Sequence, residues 1–339
     1  MITDAINLLL EKKDLSAEIT ESVAREIMKG KVNDASIAAF LTALRMKGET
    51  PDEIASFVRI MREFCNRISP NVQGILIDTC GTGGDNMNTF NISTAAAFVA
   101  AGAGIPVAKH GNRSISSKCG SADVLEAMGV NINLSGAQVK EIIEKIGIGF
   151  MFAPNFYPAM KHVQPVRKKL AIRTIFNILG PLTNPASVQA QVIGVYDRQL
   201  SEKIALALKQ VGLKHILVVN GNKMDEISTI GKTNIIEVKK GKMIKYTISP
   251  EEFDIQKPNI KHIVSTNIKT SVDCFKEVLE GKKGPRLDIV LINSAAALVV
   301  GEKAKNFQDG FDLSKRVIQS GKALEKFNQF REESIQYET

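Results

Sequence analysis

Three glycines clustered between a predicted strand and a predicted helix constrain the fold of this chain most strongly. The segment Asp78-Thr79-Cys80-Gly81-Thr82-Gly83-Gly84-Asp85 follows a short apolar strand predicted over 74–79 and precedes a helix predicted over 93–102. Glycine lets backbone N–H groups approach and cradle phosphate oxygens, and a helix N-terminus favours negative charge. The loop has neither the Walker A ending nor the spacing of a dinucleotide site. It predicts another kind of phosphate site, and the alternative is a tight turn whose glycines serve only geometry.

The elements around this loop predict a parallel sheet wrapped by helices. Predicted strands cover 105–108, 148–153, 188–196 and 215–220, and predicted helices cover 121–128, 135–146 and 200–211. A hairpin is predicted over 235–248, a last strand over 287–293, and helices from 295 to 337. The fold class is therefore α/β, with a central, mostly parallel sheet.

Residues 1–66 contain only helical patterns. Thr50-Pro51-Asp52-Glu53 is a capping box with proline at the first helical position, and Ser16 and Asp34 are predicted caps for two earlier helices. This region predicts a small N-terminal helical domain packed on the larger α/β domain.

A second polar loop follows the strand predicted over 105–108. Residues 109–123, KHGNRSISSKCGSAD, combine three cations, one asparagine and four hydroxyls. Ligands of open α/β sheets bind beyond the carboxyl ends of strands, so this loop predicts a polyanion site. The alternative is a solvated basic loop, which explains the charge but not the density of glycine and serine.

Two further features predict ligands. Asp225 and Glu226 follow the strand predicted over 215–220, and Mg²⁺ is usually bound by one or two carboxylates plus substrate phosphate. Arg167 can grip a carboxylate with both arms of its guanidinium, although a solvated helix face explains it equally well. The net charge of +8 suits an anionic partner without choosing among phosphates, nucleic acid and acidic lipid.

Several classes of protein are disfavoured. The four cysteines form no C-x-x-C pair, so neither a zinc site nor a disulfide framework is expected. The apolar stretch over 94–108 is shorter than the ~20 residues of a spanning helix, and no secretory pattern is present. We expect a cytoplasmic protein without a membrane anchor.

With these motifs together, the chain resembles the anthranilate phosphoribosyltransferase family, of the nucleoside phosphorylase-like fold. The resemblance is carried by residues 80–85, 91–94, 109–113, 120–123, 173–185 and 225–226. It implies transfer of a phosphoribosyl group from 5-phosphoribosyl 1-diphosphate to anthranilate in tryptophan biosynthesis, with Mg²⁺. It also implies a helical domain over 1–70, joined by helices from about 158 to 185, an α/β domain over 71–339, and a homodimer packed through the helical domain.

The resemblance implies a role for each candidate residue. No protein nucleophile is expected, and Lys109 and Arg167 act by electrostatics and positioning. The residues implied for phosphoribosyl diphosphate are Gly81, Gly83, Gly84, Asp85, Thr89, Asn91, Ser93, Thr94, Lys109, Asn112, Arg113, Ser117 and Ser121. Those implied for anthranilate are Gly81, His110, Asn112 and Arg167, and those for the metal are Ser93, Asp225 and Glu226.

Two positions depart from the family pattern, and two rival functions stay open. Cys119 stands where serine is usual, and Tyr157 stands where histidine is usual. One rival is a pyrimidine nucleoside phosphorylase, against which Asn112 and Arg167 argue. The other is a nucleic-acid-binding relative without transferase activity. Carboxylates beside a phosphate groove weaken DNA binding, so nucleic acid is not an expected partner.

Overall fold

A computed structural model describes residues 1–114 and 118–337. Its helices are α1 (Ile2–Leu10), α2 (Ala17–Met28), α3 (Asp34–Lys47), α4 (Pro51–Glu63), α5 (Ile92–Gly102), α6 (Ser121–Ala127), α7 (Gly136–Ile146), α8 (Ala153–Phe156), α9 (Gln164–Leu170), α10 (Phe176–Leu182), α11 (Arg198–Gln210), α12 (Ile268–Leu279), α13 (Pro285–Val300), α14 (Phe307–Gln319) and α15 (Lys322–Ile335). Its strands are β1 (Ile77–Gly81), β2 (Val107–Gly111), β3 (Ile148–Phe152), β4 (Ala190–Gly194), β5 (His215–Asn220), β6 (Thr233–Lys239) and β7 (Lys242–Ile248). Short 3₁₀ helices lie at Pro158–His162, Pro250–Phe253 and Ile260–His262.

The strands form one sheet in the order β3-β2-β1-β4-β5-β6-β7. β1 to β5 are parallel, whereas β6 and β7 pair antiparallel as the predicted hairpin. Strand β1, the middle one of the five parallel strands, has β2 on one side and β4 on the other, and Gly81 stands opposite Gly194 in the β1–β4 register. The order of strands reverses at this position, which is where ligands bind in open α/β sheets.

The first four helices pack together before the sheet begins. Ser16 accepts a hydrogen bond from the Ile19 N–H, so its predicted capping role is confirmed. Asp34 is not a cap, because Asn33 accepts from the Ser36 N–H and the helix starts one residue earlier than expected. The capping box of Thr50 is present as predicted. Among later helices, α9 packs on α3 and α10 packs on α4.

The prediction of a strand over 287–293 is wrong. These residues belong to the 16-residue helix α13, which is buried almost throughout and packs on α5, β1, β4 and β5. A continuous apolar run has no periodicity to separate a buried strand from a buried helix. Pro285 at the first turn and the length of the run are the features that favour a helix.

Buried aromatic rings join the helices that cover the sheet. The Phe98 ring of α5 lies 5.3 Å from that of Phe327 and 6.0 Å from that of Phe275, both edge to face. Burying one such ring stabilises the fold by about 2–3 kcal/mol. Across residues 1–114 and 118–337, no helix combines the length and the apolar character needed to cross a bilayer.

Candidate active site

The glycine loop follows β1 and is hydrogen-bonded to the end of the neighbouring strand β4. The Thr82 N–H donates to the Gly194 carbonyl at 2.9 Å, and the Gly83 N–H donates to Asp225 Oδ2 at 2.7 Å. Gly83 and Gly84 have φ of 67° and 80°, a left-handed conformation that side chains rarely adopt. The loop therefore reaches its place only with glycine at these positions, next to the carboxylate pair.

Asp225 and Glu226 lie at the same sheet edge as the loop, as predicted. Both residues come soon after β5, in a loop that packs closely against two glycines. A Cβ at Gly194 would collide with the Asp225 carbonyl, and a Cβ at Gly221 would collide with the Glu226 carbonyl. Asn293 of α13 fixes the next residue, since its side chain accepts from the Ile227 N–H and donates to the Ile227 carbonyl, both at 2.9 Å.

The two carboxyl groups lack a positive partner strong enough to offset their burial. Burial raises the pKa of Asp225, and the nearby Asp85 raises it further. Burial and the charge of Asp225 raise the pKa of Glu226 well above its usual range, although Lys109 opposes this. Asp85 Oδ2 is buried and has no hydrogen-bond partner among the described residues. Buried, mutually repelling carboxylates of this kind are an oxygen donor set that a divalent cation would neutralise.

This set is small. Across the described parts of the chain, residues 1–114 and 118–337, no three or more His, Cys, Asp or Glu are arranged to hold a metal ion by themselves. Two carboxylates that leave other positions to water and substrate phosphate suit Mg²⁺, which keeps several waters and is seldom caged by protein alone.

The N-terminus of α5 faces the carboxylate pair. The Ser93 N–H lies close enough to Glu226 to oppose the rise in the pKa of that carboxyl group, and the Thr79 hydroxyl donates to the Ser93 carbonyl at 2.9 Å. Thr94 is buried, and its hydroxyl has no partner among the described residues. Asn91 precedes the helix without capping it, because its side chain instead accepts from the Ser271 hydroxyl at 2.7 Å. The first turn of α5 thus retains capacity to bind an anion.

Lys109 and His110 lie within β2 rather than in the loop after the predicted strand, which ends three residues later than expected. Lys109 is 3% exposed, and its ammonium donates to the Thr79 carbonyl at 2.5 Å. His110 Nδ1 donates to the Gly180 carbonyl at 3.1 Å, while Nε2 has no partner among the described residues. Burial lowers the pKa of His110 to about 4. The imidazole is therefore neutral near pH 7, with Nε2 as an acceptor.

The loop after β2 is only partly at the site. Arg113 is exposed and forms ion pairs with Glu126 at 2.6 Å and Asp123 at 3.2 Å. Asn112 is also exposed, and its carbonyl accepts from the Ser121 hydroxyl at 3.4 Å. Ser117 lies outside the described residues.

Two further candidates are placed by contacts outside the glycine loop. Arg167 is half-buried on α9, with its guanidinium carbon 6.0 Å from the centroid of the Phe176 ring. Burial lowers its pKa, and it has no carboxylate partner in the described portions of the chain. Thr89 forms an isolated bridge with Val264.

The two positions that depart from the family pattern are both buried: Cys119 lies before α6, and the Tyr157 hydroxyl donates to the Thr183 carbonyl.

The sequence did not predict three residues that support the site. Asp78 is fully buried, and it accepts from the His110 N–H at 3.3 Å and from Asn184 at 2.8 Å. Asn293 holds the loop after Glu226, and Arg173 donates to the Gly84 carbonyl. Arg173 and Asn184 fall within the string that carried the resemblance, whereas Asn293 fell in the segment predicted as a strand.

Fold and site together define a glycosyl transferase built from a helical bundle and an α/β domain. The model of the "Glycosyl transferase family, a/b domain" matches residues 73–324, and that of the "Glycosyl transferase family, helical bundle domain" matches residues 3–65.

Relatives narrow this class. An anthranilate phosphoribosyltransferase of Acetivibrio thermocellus is 50% identical over 98% of this chain and 96% of its own. That of Methanocorpusculum labreanum is 49% identical over 96% of each chain. The crystal structure of the Thermus thermophilus enzyme superposes with a TM-score of 0.92 at 38% identity, covering 97% of this chain and 99% of the other. The Saccharomyces cerevisiae enzyme in complex with PRPP and Mg has a TM-score of 0.89 at 28% identity, covering 99% and 98%. The chain belongs to the anthranilate phosphoribosyltransferase family, and neither rival function is favoured.

Proposed function

We propose that this protein transfers the phosphoribosyl group of 5-phosphoribosyl 1-diphosphate to the amine of anthranilate, with Mg²⁺, in tryptophan biosynthesis. One observation carries the proposal: the glycine loop, the first turn of α5 and the pair Asp225–Glu226 meet at one edge of the sheet. Neutral donors for phosphate and carboxylates for a cation therefore lie side by side. A phosphorylase or a DNA-binding protein has no need of this pair.

The chemistry needs charge stabilisation rather than a protein nucleophile. The bond between C1 of the ribose and the diphosphate oxygen breaks, the amine nitrogen bonds to C1, and the released diphosphate takes up the proton that the amine loses. Backbone N–H groups of the glycine loop and the first turn of α5 are preorganised to receive the departing negative charge. Lys109 adds a positive charge that burial keeps poorly screened.

The metal fits the residues present. Asp225 and Glu226 would hold Mg²⁺, with Ser93 beside Glu226. When bound, Mg²⁺ supplies neutralisation of the diphosphate charge. The raised pKa values of both carboxyl groups are what such a donor set shows without its cation.

We assign anthranilate, whose amine receives the phosphoribosyl group, to a position beside His110 and Arg167. The neutral His110 imidazole offers an acceptor at Nε2, which suits an amine N–H. Within residues 1–114 and 118–337 the Arg167 guanidinium forms no ion pair, which leaves it able to bind the carboxylate of anthranilate. Asn112 and Gly81 complete this set, while Thr89, Asn91, Thr94, Arg113, Ser117 and Ser121 are assigned to the phosphoribosyl diphosphate.

The assembly is also a proposal. We propose a cytoplasmic homodimer packed through a helical domain formed by residues 1–70 and helices from about 158 to 185. The apolar side chains of Leu10 and Met46, 70% and 83% exposed, support a partner on this part of the chain. Sedimentation equilibrium tests it, and a monomeric mass at micromolar concentration contradicts it.

Loss of anthranilate fluorescence tests the reaction. We expect a decay that requires purified protein, 5-phosphoribosyl 1-diphosphate and Mg²⁺, and that EDTA abolishes. Glu226→Gln is expected to lower kcat/KM by at least about 100-fold, because it removes a charge from the cation site. Glu280→Gln, at an exposed position after α12, is the matched control and is expected to behave as wild type. A folded wild-type protein that gives no decay would refute the proposal.

A further inference from the structure

Arg173 stacks on an aromatic ring beside the glycine loop. Its guanidinium carbon lies 4.1 Å from the centroid of the Tyr196 ring, well within the range of a cation–π contact. Tyr196 follows β4, and its carbonyl accepts from the Asn220 side chain at 3.1 Å. The backbone of Tyr196 is therefore held at the end of β5, immediately before the loop that carries Asp225 and Glu226.

The same guanidinium contacts the glycine loop. Arg173 Nη2 donates to the Gly84 carbonyl, and a Cβ at Gly84 would collide with the guanidinium. Gly84 has a φ of 80°, so it also needs glycine for its backbone conformation. The absence of a side chain at Gly84 thus lets the Arg173 guanidinium approach the loop.

Among the described residues, three hydrogen bonds attach the backbone of the glycine loop to other segments, and that of Arg173 differs in kind. The Thr82 and Gly83 N–H groups donate to Gly194 and Asp225, whereas Arg173 holds a carbonyl. In a trans peptide the carbonyl and the following N–H point in opposite directions. Holding the Gly84 carbonyl therefore fixes the direction of the Asp85 N–H, which has no acceptor within residues 1–114 and 118–337.

We propose that Arg173 is a positioning residue: braced on Tyr196, it holds the Gly84 carbonyl and keeps the backbone of the glycine loop in its anion-receiving conformation before substrate arrives. Arginine suits this role because its planar group stacks and donates at the same time, which a lysine ammonium cannot do. The kinetic part of the test rests on the proposed function, whereas the exchange part does not.

Amide hydrogen exchange of Thr82 and Gly83, whose N–H groups donate to Gly194 and Asp225, tests the brace in the substrate-free protein. Arg173→Lys keeps the charge but loses the planar stack, and Tyr196→Leu removes the ring while leaving Arg173. Both are expected to speed exchange about tenfold, the size expected for losing one charge-assisted contact at a partly buried site. Tyr196→Phe retains the ring and is the matched control, with exchange expected to stay as in wild type.

Steady-state kinetics provides the second measurement. A loop that must be ordered by the substrate raises the KM for 5-phosphoribosyl 1-diphosphate, again about tenfold, and leaves kcat within about threefold of wild type. Unchanged exchange in both Arg173→Lys and Tyr196→Leu overturns the proposal. So does a large loss of kcat in Arg173→Lys with wild-type behaviour in Tyr196→Leu, because Arg173 would then act on the reacting groups itself. If Arg173→Lys does not fold, the Tyr196→Leu and Tyr196→Phe pair still decides. If no transferase activity is found, the exchange result stands alone.

Discussion

Replacing Gly194 with alanine displaces the carboxylate loop without touching either carboxylate. Gly194 ends β4, and an added Cβ would overlap the Asp225 carbonyl and lie 3.2 Å from the Asp225 Cα. Because ordinary contact between such atoms needs about 3.5 Å, the loop must retreat by roughly 1–2 Å. Strain of this kind costs about 1–3 kcal/mol of stability. A displacement of about 1 Å at an active site costs about 100-fold in rate.

The assay is the loss of anthranilate fluorescence at saturating substrates, with Mg²⁺ titrated in each variant. We expect kcat of Gly194→Ala to fall about 100-fold and half-saturation to need more Mg²⁺. Gly136→Ala, in the first turn of α7, is the matched control, since its Cβ would meet side chains and no backbone: Ile68 at 3.0 Å and Phe156 at 3.7 Å. Near wild-type kcat in a folded Gly194→Ala protein would refute the argument that close backbone approach places Asp225.

Other contacts around the site give measurable expectations. Burial lowers the pKa of His110 from 6.5 to about 4, so its contribution is present above pH 6.5 and lost as pH falls through about 4. The loss in the free energy of unfolding is up to about 3 kcal/mol. His110→Gln is therefore expected to flatten the pH dependence of urea unfolding between pH 6.5 and about 4. Tyr157→Phe leaves the Thr183 carbonyl without its donor and is expected to lower the free energy of unfolding by about 1 kcal/mol, also measured by urea. Arg113→Gln is expected to leave the urea midpoint unchanged, because its ion pair with Glu126 is exposed; a clear decrease would contradict this.

Local rules predicted those parts of the fold in which neighbours along the chain decide the structure. The Ser16 cap and the Thr50 capping box depend on residues three positions apart, and both are present. Asn33 and Asp34 are equally good caps by composition, so the sequence could not choose between them. Apart from Asp288 and Asn293 the segment 287–293 is apolar, and so short an apolar run does not by itself distinguish a buried strand from a buried helix.

In the candidate site, too, some features could be predicted from the sequence and others could not. The glycine loop and Asp225 were predicted to meet because strand ends gather at one sheet edge, and the 2.7 Å hydrogen bond from Gly83 confirms that. The supports were missed because they depend on pairing between distant segments. Nothing near Asp78 or Asn293 in the sequence indicates that one accepts from His110 and the other holds Ile227.

The position of β1 between β2 and β4 has a consequence for synthesis of the chain. β1 pairs with a strand more than a hundred residues further on, as in the contact of Asp78 with Gln191, 113 positions away. The glycine loop bonds to Asp225 across 142 positions. A ribosome therefore makes the loop long before its supports, and pairing at such separation is slow to form. The loop cannot receive a phosphate until most of the chain has emerged, so catalytic competence is among the last properties that a newly made molecule acquires.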